Sequence, residues 1–270
     1  MLNRRSFIIK FLSSVFGLIF LDAFWFEKYI IRWNQFDISD DDIEKIKLIQ
    51  ISDLHLTEIK SFHTSLAERI NSERPDVLLI TGDAITRNHR IELLNSFLDL
   101  IDIKIPIKAI LGNKEYAGRV DLDILRTVYE AHNGILLVNE ADILQKENRR
   151  INIVGIDDFV CGVPNVTKAI QNIDKDLDTV FLNHCPIYRE EIDRLSMMAN
   201  LKPKLILAGH THGGQITFFG IPIFKPFGAG RYLRGWYQDD GSNMYVSNGI
   251  GTAVLPIRFG ARASAEIFYI

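Results

Sequence analysis

Lys45-Ile46-Lys47-Leu48-Ile49-Gln50-Ile51 runs straight into Ser52-Asp53-Leu54-His55, and this join of an apolar segment to metal-type residues sets the fold class. The first seven residues have the length and apolar content of a strand. The same join recurs four times. Residues 77–80 lead into Thr81-Gly82-Asp83, and residues 107–111 into Gly112-Asn113-Lys114-Glu115. Residues 179–182 lead into Asn183-His184-Cys185-Pro186, and residues 204–207 into Ala208-Gly209-His210-Thr211-His212-Gly213-Gly214. Residues 77–80 are all apolar, as expected of a strand buried on both faces. Helices are expected between strands at 65–72, 92–100, 122–132, 166–173 and 188–198; in the first, Leu66 and Ile70 share a face. Further strands are expected at 135–138, 151–156, 244–246 and 264–269. The alternation predicts one α/β domain over residues 45–270, with mixed sheets and a strand-rich later half.

Composition sets outer limits. The chain has 270 residues, 47% hydrophobic and 24% charged, with a formal net charge of −3. It can bury a sizeable core and lacks the basic field that favours nucleic acid. Its two cysteines, Cys161 and Cys185, form neither a disulfide framework nor a zinc spacing and are expected to be small buried residues.

The amino-terminal stretch differs. Arg4-Arg5-Ser6-Phe7 opens a basic start, followed by an apolar run from Phe11 to Phe26 with one charge, Asp22. Residues 1–26 read as a membrane anchor or a signal-like segment; no small-x-small cleavage site follows them. The arginine pair resembles a twin-arginine export signal. Attachment to the cytoplasmic membrane through the N-terminus is expected, with the side it faces left open. Residues 27–44, with acidic Asp40-Asp41-Asp42, read as a connector.

The chemistry lies at the strand ends, where open α/β sheets bind their ligands. Asp53, His55, Asp83, Asn113, His184, His210 and His212 supply carboxylate, imidazole and amide donors without thiolate, a set that suits Mn²⁺, Fe or Zn²⁺. Two such ions ~3.5–4 Å apart can hold phosphoryl oxygens and activate water. A carboxylate such as Asp83 can bridge two ions. Asp53 and His55, like His210 and His212, would point the same way if their segments are extended. His63, His89 and His132 are expected at the surface. Asp157-Asp158 is either a support for the site or a simple turn. Residues 216–237 mix Phe218, Phe219, Phe224, Phe227, Tyr232 and Trp236 with Lys225, Arg231 and Arg234. They are either a core-facing hairpin or an apolar, basic wall suited to a lipid phosphate, with Arg231 and Arg258 as substrate-binding cations.

The ordered set of Asp53-x-His55, Gly82-Asp83, Gly112-Asn113, His184 and Gly209-His210-x-His212 resembles the calcineurin-like metallophosphoesterases over about residues 45–270. Gly213-Gly214-Gln215, Ser247-Asn248-Gly249-Ile250-Gly251 and Leu255-Pro256-Ile257-Arg258 are similar to a bacterial subgroup that includes twin-arginine-exported members and a UDP-2,3-diacylglucosamine diphosphatase of lipid A synthesis. The resemblance implies two mixed sheets packed as a sandwich with helices outside. It also implies two divalent ions, most simply Mn²⁺, with Asp53, His55, Asp83 and His212 on one and Asp83, Asn113, His184 and His210 on the other. The family commonly has histidine after the motif asparagine; Lys114 stands there. As a point cation Lys114 could stabilise phosphoryl charge or protonate a leaving group, or it could simply face solvent. The expected activity is hydrolysis of a phosphate ester or pyrophosphate, with UDP-2,3-diacylglucosamine as first choice. A broad-specificity exported phosphoesterase and a non-catalytic metal- or phosphate-binding module are the alternatives.

Overall fold

The computed structural model describes residues 3–40, 44–239 and 241–270. Fourteen strands are found among the described residues: β1 (Arg32–Asp37), β2 (Lys47–Ile51), β3 (Val77–Thr81), β4 (Ile107–Ile110), β5 (Gly134–Leu136), β6 (Glu140–Lys146), β7 (Arg149–Gly155), β8 (Thr179–Leu182), β9 (Leu205–Ala208), β10 (Thr217–Phe218), β11 (Ile221–Pro222), β12 (Gly235–Tyr237), β13 (Met244–Val246) and β14 (Ser264–Tyr269). Two six-stranded mixed sheets result, ordered β1-β14-β2-β3-β4-β5 and β12-β13-β9-β8-β7-β6, with β10-β11 as a separate ribbon. Strands β2 to β5 run parallel, as do β7, β8, β9 and β13.

Period-two alternation explains why the sheets stack. Leu48, Val77 and Leu79 of the first sheet meet Ile151, Ile153, Val180, Leu182, Leu205 and Leu207 of the second in one buried cluster. Their alternates Ile49, Ile51, Leu78 and Ile80 face the opposite way, against helices Ser61–Glu73, Ile91–Leu98 and Leu122–Ala131. Phe181, Ile206 and Ala208 do the same on the second sheet, under helices Val166–Ala169 and Arg189–Met198. Strands covered on both faces must be apolar throughout, and each fully buried Leu or Ile contributes roughly 1.5–3 kcal/mol.

Three expectations need correction. The 27–44 connector contains β1, which pairs in parallel with β14 and puts Phe36 against Trp236, Tyr245 and Phe268. Its residues, Arg-Trp-Asn-Gln-Phe-Asp, are mostly polar because an edge strand needs only one packed face. Part of the connector reading, Asp41 and Asp42, lies outside the described residues. His63 is buried rather than superficial, accepting the Lys60 amide on Nδ1 at 3.0 Å and lying tilted against the Phe62 ring. His132 is also buried, its Nε2 3.0 Å from Asp99 Oδ1. Only His89 of the three lies exposed. Cys161 is exposed while Cys185 is buried.

The amino terminus forms helix Arg4–Leu21, continued by a wider turn over Asp22–Phe26 and by Glu27–Tyr29. Arg4–Tyr29 is long and apolar enough to cross a membrane, with a mean hydropathy of 2.0 over its apolar window. Its last residues are stitched to the domain. The Arg258 amide donates to Ala23 O at 3.0 Å, the Ala261 amide to Glu27 Oε2 at 3.0 Å, and Lys28 Nζ to Pro256 O at 3.2 Å.

Candidate functional site

The turns after β2, β3, β4, β8 and β9 converge at the carboxyl edge of both sheets. Five of the residues they carry, Asp53, His55, Asp83, His210 and His212, have positive φ between 44° and 72°. The segments are therefore not extended, as the alternate spacing suggested; each ligand-type side chain leaves a left-handed backbone position. Such positions cost on the order of 1 kcal/mol or more each for non-glycine residues and persist where surrounding structure fixes them. The glycines act mainly through close approach. A Cβ at Gly209 would collide with Ser52 Oγ and Asp53 Oδ2, and one at Gly112 with Asp83 Oδ1.

The seven side chains face one another. His55 Nε2 lies 3.0 Å from His212 Nε2, and His212 Nε2 lies 3.4 Å from Asp53 Oδ1. Asp83 Oδ2 is 3.6 Å from His55 Nε2, while Asp83 Oδ1 is 3.5 Å from His184 Nε2. His210 Nδ1 is 3.1 Å from Asn113 Oδ1, and the His184 and His210 rings sit 5.0 Å apart. Asp83 thus presents one oxygen to each half of the cluster.

Each ring's remaining nitrogen is accounted for in three of the four histidines. His184 Nδ1 lies 2.8 Å from Thr81 O and must donate to it, which turns Nε2 towards Asp83. His210 Nε2 donates to Phe227 O at 2.7 Å, leaving Nδ1 free beside Asn113. His212 Nδ1 faces Arg258 Nη2 at 3.4 Å. The carboxylates are similarly divided. Asp53 Oδ2 accepts from Ser52 Oγ and the His210 amide, whereas buried Asp53 Oδ1 and His184 Nε2 have no hydrogen-bond partner among the described residues. Buried polar atoms without partners are rare because each costs ~1–3 kcal/mol. Here they point into a nitrogen- and oxygen-lined cluster, so the residues fit divalent cations, and orienting contacts to the far ring nitrogens are what metal-binding histidines require.

Electrostatics agree with this division. Burial works against ionising Asp83, but His184 and His55 outweigh it and hold the carboxyl below its ordinary range. Burial also opposes the charged His184, yet the Asp83 carboxylate lifts it to about 10. His212 is pushed down to about 3 by burial, with nearby His55 and Arg258 acting in the same direction.

Sequence reasoning left Glu115 without a role. Its carboxylate accepts the amides of Gly112 (2.9 Å), Asp83 (3.1 Å) and Ile85 (3.1 Å), locking the β3 and β4 turns together. Burial, followed by the Asp83 charge, raises it to about 8. The signal was an acid three residues after Gly112, the spacing of a helix-start box. Asp157 and Asp158 serve as buried turn supports: Asp157 accepts Tyr116 Oη at 2.6 Å, and Asp158 accepts Cys185 Sγ at 3.2 Å. Burial raises the Cys185 thiol, with the Asp158 charge acting in the same direction.

Lys114 lines the cavity over the cluster, half-buried, and its amide donates to Asp83 Oδ1 at 2.8 Å. The two arginines expected to bind substrate do not reach it. Arg258 is fully buried and donates to carbonyls of His212, Asn248, Gly249, Gly251 and Ala261, so no donor is left for a ligand. Arg231 is exposed outside the cavity, paired with Asp239 and laid over the Tyr232 ring. The cavity measures ≈ 680 Å³; opposite the cluster it is walled by Ile223, Phe224, Phe227, Val254 and Leu255.

Several known proteins are similar to this chain. The chain is 31% identical over 286 residues to an uncharacterized metallophosphoesterase of Helicobacter pylori (strain J99), covering 99% of this chain and 72% of that one. It is 27% identical to the uncharacterized metallophosphoesterase YkuE of Bacillus subtilis, covering 96% of both. Among solved structures, TT1561 of Thermus thermophilus superposes with a TM-score of 0.49 at 13% identity, covering 77% of this chain and 91% of that one. The family description "Calcineurin-like phosphoesterase" matches residues 46–214. Since that match takes in every one of the seven converging side chains, the chain belongs to the calcineurin-like phosphoesterases and is a metal-dependent phosphoester hydrolase.

Proposed function

We propose that the cluster holds two divalent ions, most simply Mn²⁺, and hydrolyses a phosphate ester or pyrophosphate at a membrane surface. The single observation that carries this is Asp83, with Oδ1 turned to His184 and Oδ2 to His55. Asp53, His55 and His212 would complete one ion's donors, and Asn113, His184 and His210 the other's. When bound, the ions polarise phosphoryl oxygens and lower the pKa of a water for attack on phosphorus. The chain's own residues do the rest. Thr81 O and Phe227 O fix the His184 and His210 rings, Glu115 fixes the turns of Asp83 and Asn113, and the apolar wall excludes water from one side. Lys114 lines the cavity, and its ammonium would stabilise charge developing on a phosphoryl group above the cluster.

The first choice of substrate is UDP-2,3-diacylglucosamine, cleaved with one water to the lipid 1-phosphate and UMP. The apolar cavity wall and the Arg4–Tyr29 helix, read as an anchor to the cytoplasmic membrane, favour an amphipathic phosphoester. Purified full-length protein loaded with Mn²⁺ should release UMP from this lipid. Turnover of an aryl phosphate without UMP release would leave a broad-specificity envelope phosphoesterase. Bound metal with no turnover of either would leave a binding module.

A further inference from the structure

Two loop tips at the cavity mouth carry large apolar residues where the backbone favours other types. Strands β10 and β11 pair Phe218 with Ile221 across a two-residue turn, Phe219-Gly220, with φ of 50° and 84°. A turn with both φ positive ordinarily takes Asn, Asp or Gly first. Here the first position is Phe219, its side chain 105% exposed. On the neighbouring loop Val254 is 101% exposed with φ 38°, a rare conformation for a β-branched residue. Ile221, Ile223, Phe224 and Phe227 add to the same exposed surface. Large apolar residues exposed together on neighbouring loops mark a contact with something apolar.

The surface is continuous with the amino-terminal helix. Gln215, at the foot of the hairpin, holds the second loop by donating to Ala253 O and Leu255 O and by accepting the Ala253 amide. The Thr217 amide donates to Phe259 O, and the Phe218 and Phe259 rings lie 5.4 Å apart. That second loop is the one that receives Lys28 on Pro256 and ties Arg258 to Ala23. Hairpin, loop and helix end are therefore one hydrogen-bonded unit, with exposed Trp25 at the helix end.

From this continuity we infer that the rim of the cavity, led by Phe219 and Val254, dips into the same bilayer that takes the amino-terminal helix. The active-site mouth then opens at the lipid boundary, and an amphipathic phosphoester enters sideways with its chains in the membrane. Apolar side chains at an interfacial surface bury roughly 5–10 Å into the headgroup and acyl boundary. This inference rests on reading Arg4–Tyr29 as an anchor, but on no particular substrate.

The test uses full-length protein carrying Cys161→Ser, with the buried Cys185 retained. A single cysteine is introduced as Phe219→Cys, or in a second variant as Ile221→Cys, and labelled with an environment-sensitive fluorophore. Lys104→Cys, before the amino end of β4 and so at the far end of the strands, is the reference. Each protein is reconstituted with phosphatidylcholine–phosphatidylglycerol vesicles and exposed to dithionite. The expected result is a blue-shifted label at 219 and 221, quenched several-fold more slowly than at 104, in protein that still hydrolyses a soluble aryl phosphate. Labels at 219 and 221 that quench as fast as that at 104, in protein that floats with vesicles, would overturn the inference and leave the anchor standing. Protein that does not float at all would overturn both. Docking depth is read without turnover, so failure of the UDP-lipid choice would not be mistaken for failure here.

Discussion

The floor of the cavity and its rim are built on opposite rules. On the floor, polar groups are buried and most donors and acceptors have an assigned partner; Asp53 Oδ1, His55 Nδ1 and His184 Nε2 have none among the described residues. On the rim, apolar groups are exposed and unpaired, and Phe219 and Val254 occupy positions a polar residue or glycine would hold more easily. Both regions depart from ordinary burial rules: the floor gathers buried donors that fit a cation, and the rim carries the apolar groups on which the proposed bilayer contact rests. One contact joins them. Phe227 O on the rim accepts His210 Nε2 on the floor, so the wall also orients a metal-type histidine.

Four experiments press on this contrast. The most damaging change to the floor should be Asp83→Asn, which removes charge facing both halves of the cluster. Turnover should fall at least ~10³-fold, the several kcal/mol a metal ion supplies, and metal content by mass spectrometry should fall with it. Full turnover with two bound ions would refute the bridging role.

Next comes Arg258→Met. Five buried backbone carbonyls would lose their donor, and an acceptor left buried and unsatisfied costs about 1–3 kcal/mol. Urea unfolding should show that loss; a midpoint unchanged from the parent would mean that water or repacking replaces the guanidinium.

Lys114→Ala tests the lysine on the cavity wall. Loss of a charge-stabilising group commonly lowers turnover on the order of a hundredfold, and metal content should stay constant. A loss that grows with leaving-group pKa would indicate proton donation, and a uniform loss an electrostatic role. Unchanged kinetics on every substrate would place the side chain in solvent.

The smallest effect lies away from both regions. Burial depresses His63 to about 4, against 6.5 for an exposed imidazole. The unfolded chain therefore binds the proton first. The stabilisation is fully present above pH 6.5 and is lost as pH falls towards 4, by on the order of 2–3 kcal/mol. Thermal midpoints measured across pH 4–7 should be flatter for His63→Gln than for the parent. An equally steep profile in both would assign the acid loss elsewhere.

Much of the fold was legible in the chain itself. Strands covered on both faces, such as β3, have to be apolar throughout, so their runs stand out, and β8, β13 and β14 fall as expected. The convergence of Asp53, His55, Asp83, Asn113, His184, His210 and His212 was legible because each follows a strand, and parallel strands bring their carboxyl ends to one edge. Strands β1 and β6 were not legible. Each sits at a sheet edge, half exposed; the polar residues of β1 read as a connector, and those of β6 carried no strand signal.

The amino-acid sequence by itself determined which chemistry the chain carries, because donor type is a property of residues and strand-end placement a consequence of local periodicity. The tertiary structure alone decided what each cation does. Arg258, Arg231 and Lys114 look interchangeable as charges on a string. Folding buries the first against carbonyls, pairs the second with Asp239, and leaves Lys114, alone of these three, on the cavity wall. Long basic side chains reach several ångströms in any direction, so their partners depend on contacts far apart in sequence. The same holds for Glu115 and Phe227 O, whose roles exist only once the turns of two sheets meet.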